Sequence, residues 1–233
     1  MKFFNHLLNW IFPNKCVICS DEIPEHAIFC VKCFSNIRFI EQPLCNCCGK
    51  MVVALNTPEM LCESCIKYEK EFDKCRSLLV YNNESKRLIM KIKRQASFDI
   101  AKKCSKMISS RYSNIFKDAD FIVPVPSHWT RILRRGYNPS AIIAKEFSDI
   151  TKIPLKMNYL KRIKKTEYQK DKKIKERIKN VESAFLASDK VKDKTIILID
   201  DVFTTGATLN ECAKTLKLAG AKGVLAMTIA STC

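Results

Sequence analysis

A mostly parallel α/β domain preceded by a small metal-held module is the fold class that three features of the chain predict. Nine of its thirteen cysteines lie between Cys16 and Cys65, eight of them as four Cys-x-x-Cys pairs, "CVIC", "CVKC", "CNCC" and "CESC". From about Ser77 onward, apolar β-branched runs alternate with amphipathic stretches, the texture of strands joined by crossover helices. One such run, "TIILIDDVFTTGATL" from Thr195 to Leu209, carries two adjacent carboxylates before a threonine-rich turn, and ligands of parallel sheets gather beyond the carboxyl ends of the strands. Residues 1–70 are expected to hold an N-terminal helix and the cysteine-rich module, and residues 71–233 the α/β domain.

"MKFFNHLLNWIF" reads as a short amphipathic helix covering the front module. It reaches the polar "PNK" after a dozen residues, well short of the roughly 20 that span a membrane, and it lacks a signal-peptide cleavage site. In the module itself, each Cys-x-x-Cys knuckle lets two sulfurs reach one ion from a tight turn, and a second knuckle completes a tetrahedron. Sequential pairing gives one site from Cys16, Cys19, Cys30 and Cys33 and another from Cys45, Cys48, Cys62 and Cys65. An interleaved pairing stays open, because spacing alone does not fix connectivity. Cys47 is the spare thiol, and Gly49 suits the turn after its knuckle. About 50 residues with few large apolar groups make no core unaided, so two structural zinc ions are expected to hold a double zinc ribbon.

In the α/β part, "SLLVYN" reads as a strand and "SKRLIMKIKRQASFDIAKKCSKMISSRY" as a basic helix broken near Ser97. "ADFIVPVP" is a second strand, and "NPSAIIAKEFSDITK" a helix capped by Asn138 with Pro139 at its first position. "LKMNYLKRI", "VESAFLA", "KTIILID" and "GVLAMTIAS" supply further strands, while "TLNECAKTLKLAG" is a helix closed by Gly220.

The formal charge of +17 would attract polyanions, and two zinc-thiolate sites lower it only to about +13. Thirteen cysteines point to a reducing compartment and hence the cytoplasm. The five glycines form neither a G-x-G-x-x-G turn nor a phosphate loop ending in Lys-Ser or Lys-Thr, which excludes Rossmann dinucleotide binding and a P-loop NTPase. Behind Asp200 and Asp201, however, Thr204, Thr205, Gly206, Ala207 and Thr208 offer three hydroxyls and successive amides at a helix start, a cradle for a phosphate. Acids for a vicinal diol and a cradle for its phosphate describe a ribose 5-phosphate site.

"LIDDVFTTGATL" resembles the PRPP-binding signature of type I phosphoribosyltransferases. "PVPSHWTRILRRGYN", "T-E-Y-Q", "ER-x-x-NV" and the paired-cysteine front are similar to the ComF family, also called GntX-like, across essentially the full length. The resemblance implies a type I phosphoribosyltransferase-like parallel sheet, a phosphoribosyltransferase of unknown acceptor using PRPP with magnesium, and a role in DNA uptake during natural transformation. It implies a catalytic acid pair, Asp200 and Asp201, on the ribose hydroxyls, and PRPP binding along Val202, Thr204, Thr205, Gly206, Ala207 and Thr208. It further implies a pyrophosphate side at Val125, Pro126 and Ser127 with Arg134 and Arg135, and a mobile loop with Thr166, Gln169 and Arg177. Pro139 departs from the family, which has Gln there. A competence helicase or other DNA-uptake protein is the implied partner. A different reading makes the chain a zinc-dependent binder of single-stranded nucleic acid with a regulatory PRPP pocket, since "HWTRILRRGYN" interleaves aromatic and basic residues. Of the three histidines, only His128 lies near the pyrophosphate side.

Overall fold

The computed structural model describes residues 14–24, 27–53, 60–164 and 183–232, and the expected N-terminal helix lies outside them. The two ribbons share one build. In the first, an antiparallel bridge between Lys15 and Glu22 closes the knuckle of Cys16 and Cys19, and Cys30 caps α1 (Val31–Asn36) by accepting the Cys33 amide on its sulfur. In the second, a bridge between Leu44 and Met51 closes the knuckle of Cys45 and Cys48, and α2 (Glu63–Lys67) starts after Cys62. Both knuckles end in left-handed backbone, at Ser20 (φ 70°) and Gly49 (φ 71°). Serine tolerates that conformation at the first turn. Only glycine fits the second, because a Cβ on Gly49 would collide with the carbonyl oxygen of Cys75.

That collision reflects how closely the second ribbon lies on β1 (Lys74–Val80). After β1 come α3 (Asn83–Gln95), α4 (Phe98–Phe116), β2 (Phe121–Pro124), α5 (Trp129–Arg135), α6 (Pro139–Thr151), β3 (Leu160–Arg162), β4 (Phe185–Ala187), β5 (Thr195–Phe203), α7 (Ala207–Leu218) and β6 (Gly223–Ser231). Asn82 and Ser85 cap α3 reciprocally, and α3 ends at Ala96 in the left-handed region, so the basic helical stretch breaks where the sequence predicts. Asn138 caps α6 through the Ser140 amide, with Pro139 in the first turn.

The main sheet has the order β1-β6-β5-β2, and every neighbouring pair is parallel. β3 and β4 stand apart as an antiparallel pair. Alternation in sequence does not reveal that separation, but burial does: Leu160 and Phe185 are buried while Lys161 and Leu186 are exposed, the pattern of a sheet covered on one face. In β5, by contrast, Ile196 to Ile199 are all buried. Ile197 and Ile199 pack with α4 and α6 residues such as Ile108 and Ile143, while Ile196 and Leu198 pack with α7 and β4 through Leu216 and Phe185.

The free side of β1 is covered by the ribbon module. Phe39 bridges Leu79, the Ile40 amide donates to the Leu78 carbonyl, and the Val80 amide donates to the Arg38 carbonyl. Further along, the Cys75 amide donates to the Cys47 carbonyl at 2.7 Å, and buried Arg76 donates to the carbonyls of Asn46, Cys47 and Cys75. An uncovered edge would leave these groups open to another chain.

Candidate functional site

The acids close β5. Because side chains alternate along a strand, Asp201 continues the row of Ile197 and Ile199 toward α3, whereas Asp200 continues the row of Ile196 and Leu198. Adjacent carboxylates in sequence thus face different neighbours. Lys93 of α3 reaches both oxygens of Asp201, at 2.8 and 2.9 Å. Asp200 accepts the Ser140 hydroxyl and the Asp201 amide on Oδ1, each at 2.9 Å.

Burial, followed by the charge of Asp201, pushes the Asp200 carboxyl up to about 7, against the pull of its two hydrogen bonds and of Lys93. Burial works against the charge of Lys93 as well, yet Asp201 and then Asp200 hold its ammonium above the usual lysine value. Two carboxylates in which one resists ionisation suit a divalent cation shared with a ligand's oxygens. Magnesium prefers carboxylate and phosphate oxygen, and of the two acids Asp201, beside Lys93 and its cation-lined cleft, is the one that would meet such an ion together with a ligand's diphosphate.

The threonine turn follows directly. Gly206 sits at φ 75° before α7, and a Cβ there would lie 2.8 Å from the Phe203 ring, so any side chain would need both an unfavourable backbone and a displaced Phe203. Phe203 is held edge-on by Phe72. The Thr205 hydroxyl accepts the Ala207 amide at 3.4 Å, and Thr232 donates to the Thr204 carbonyl, fixing the turn from β6. Ala207 and Thr208 open the helix, whose first-turn amides point out of its N-terminus.

Across from the acids, the segment after β2 is organised by Asn138. Its amide donates to the Val125 carbonyl, and its oxygen accepts the Ser127 hydroxyl and the Ser140 amide. Pro139 leaves this network intact, because its ring occupies a first-turn position that needs no amide donor. Val125 is buried and Ser127 partly buried, flanking Pro126. Arg134 and Arg135, in the last turn of α5, line a cleft of about 400 Å³ with Met90, Lys93 and Arg94. Tyr137 ties α3 to this corner, since its hydroxyl donates to the Ile92 carbonyl and accepts the Ala96 amide. His128 is buried and caps α5, accepting the Thr130 amide, a structural use of that ring. Thr166, Gln169 and Arg177 lie outside the described residues.

Lys93, Ser140, Asn138 and Tyr137 were absent from the residues that sequence reasoning assigned to the site. Asn138 and Tyr137 stand inside the quoted "RRGYN" motif. Lys93 is one basic residue among many in its helix, and no local pattern marks Ser140.

In the ribbons the sulfurs gather as Cys16, Cys19, Cys30, Cys33 and as Cys45, Cys48, Cys62, Cys65, each set within 4.8 Å of one another. The pairing is sequential, and Cys47 belongs to neither set. Four thiols this close cannot all ionise alone. Cys16, although burial opposes its ionisation, is drawn down to about 6 by the backbone amides around it, while burial and its neighbouring sulfurs push Cys33 up. A dication on four thiolates resolves that conflict, so both sets fit zinc.

Known proteins agree with this arrangement. The double zinc ribbon domain model matches residues 7–66, and the phosphoribosyl transferase domain model matches residues 95–232. Competence protein F of Haemophilus influenzae is 28% identical over 84% of this chain and 93% of its own length. Competence protein ComFC of Bacillus subtilis is 26% identical over 86% and 88%, and DNA utilization protein YhgH of Escherichia coli is 25% identical over 91% and 94%. With a transferase domain covering more than half of its length behind a double zinc ribbon, the chain belongs to the phosphoribosyl transferase domain family, in the ribbon-plus-transferase arrangement of the ComF family.

Proposed function

We propose that the chain binds PRPP with magnesium through Asp200, Asp201 and the turn from Thr204 to Thr208, on the phosphoribosyltransferase pattern, and that it serves DNA uptake in the cytoplasm during natural transformation. The observation that carries this is a juxtaposition. The acids end β5, the phosphate-cradling turn opens α7 directly behind them, and Arg134 and Arg135 line the cleft that Lys93 shares. Diol acceptors, phosphate donors and a cationic wall are the three parts that a sugar phosphate diphosphate needs.

In this reading Asp200 and Asp201 accept hydrogen bonds from the ribose hydroxyls, Asp201 also turns an oxygen to the cation that arrives with the diphosphate, and the threonine turn takes the 5-phosphate. Arg134 and Arg135 neutralise the diphosphate, and Thr166, Gln169 and Arg177 belong to the covering loop. Magnesium, when bound, screens the diphosphate and makes it a better leaving group. The protein's own contribution is placement and charge stabilisation. The competence role rests on the names of the relatives, and a DNA-uptake helicase is the partner that role implies. Incubation with magnesium, PRPP and a panel of bases and amines, read by pyrophosphate release, tests turnover. Absence of PRPP binding in calorimetry would overturn the reading.

One observation favours nucleic-acid contact as well. Trp129 and Leu133 are 61% and 74% exposed on α5, beside the exposed Arg134, which gives a base a face to stack on and a phosphate a cation. Anisotropy with a short labelled single strand decides it. Binding that vanishes by about 0.15 M salt is charge attraction alone.

A further inference from the structure

Lys93 is held more closely than a surface lysine needs to be. Its ammonium lies 2.8 and 2.9 Å from the two oxygens of Asp201, and only 24% of its side chain and 13% of that of Asp201 are exposed. Tyr137 fixes the end of the helix that carries it. On its other side the cleft is lined by Arg94, Arg134 and Arg135, none of which has a carboxylate partner among the described residues. Four cations therefore share one cleft, and a single carboxylate pairs with one of them.

We propose that Lys93 is an exchangeable counterion: it neutralises Asp201 until a diphosphate-bearing ligand arrives with its divalent cation, and then moves from Asp201 to the diphosphate oxygens beside Arg94, Arg134 and Arg135. The inference rests on the sugar-diphosphate reading given above. An ammonium that spans both Asp201 oxygens opposes a dication there, because the two compete for the same lone pairs and repel each other at that range. An ammonium displaced into a part-buried, cation-lined cleft is unfavourable unless an anion meets it. Cation and diphosphate consequently enter together, and either alone is opposed. Lys93 is a positioning residue in this scheme, since it sets the order in which charge is accepted.

The test uses the full zinc-loaded chain and two probes, Mn2+ alone and inorganic pyrophosphate in saturating magnesium. Lys93→Met should bind Mn2+ alone about tenfold more tightly than the parent and magnesium pyrophosphate about tenfold more weakly, since one charge-assisted bond is worth a factor of that order. A purely structural role would weaken both, and that result, or no change in either, overturns the exchange. Asp201→Asn gives an independent arm: with Lys93 released, inorganic pyrophosphate without metal should bind several-fold more tightly, and the absence of any gain also overturns it. PRPP calorimetry separates the two levels. PRPP binding by the parent with unchanged Mn2+ affinity in Lys93→Met overturns the exchange alone, whereas tightened Mn2+ binding in a chain that never binds PRPP overturns the sugar-diphosphate reading alone.

Discussion

Ser140, in the first turn of α6, donates its hydroxyl to Oδ1 of Asp200 at 2.9 Å, and so joins the corner after β2 to the acid that ends β5. The bond favours the ionised carboxylate, which burial and Asp201 oppose. Ser140→Ala removes a hydrogen bond to a charged group, worth about 1.5 to 3 kcal/mol. PRPP affinity with magnesium at pH 7 is expected to fall about tenfold, while calorimetric melting shows the fold retained. Unchanged affinity would mean that Ser140 serves only the helix.

Ligand binding should depend on pH through Asp200. With its carboxyl raised to about 7, a falling fraction is ionised as pH drops from 8 to 6, and PRPP affinity should weaken across that interval. Isothermal calorimetry at several pH values reads it directly. Asp200→Asn with Asp201→Asn keeps the shapes and removes the charges, so affinity should drop at least about tenfold at pH 8 and keep only the pH dependence that the ligand's own phosphates supply.

The same acid should cost the fold stability. Between the ordinary carboxylate value of 3.8 and about 7, the folded chain binds more protons at Asp200 than the unfolded chain does. Stability therefore falls as pH rises through that window and levels off above it. Asp200→Asn removes the penalty and should stabilise the chain by roughly 1 to 3 kcal/mol at pH 8, with little gain at pH 4. Urea denaturation at both pH values checks the sign. An equal effect at both would show that the gain has another origin.

Each ribbon should lose its ion separately. Two zinc ions per chain are expected by elemental analysis, falling to one in Cys16→Ser or in Cys62→Ser and staying at two in Cys47→Ser, because Cys47 lies outside both sets of sulfurs. Chelation should unfold the module, whose few buried residues do not offset the entropy of ordering it.

Most of the architecture was legible because it rests on local signals. Knuckle spacing marked the eight metal-binding sulfurs and favoured the sequential pairing that the gathered sulfurs show, the apolar run before Asp200 gave β5, and Asn138 with Pro139 gave the start of α6. The remainder depends on relations between distant segments. α5 carries its largest apolar groups, Trp129 and Leu133, on the outside, so it shows no inward stripe for periodicity to detect. Strand alternation could not tell that β3 and β4 leave the main sheet. Lys93 and Ser140 become site residues only when α3 and α6 are brought to the end of β5, across 108 and 60 positions of sequence respectively. No window of residues contains that information.

The glycine at position 49 has a consequence beyond its own turn. Because that turn presses on the backbone of Cys75, and the Cys75 amide is taken by Cys47, loss of the metal from the second ribbon should loosen this stretch of the sheet border as well. A newly made chain short of zinc would expose a raw β border that recruits copies of itself, a fate that light scattering during chelation would reveal. Metal supply would then act as a checkpoint on the chain's survival, upstream of any question of what the acids at the far end bind.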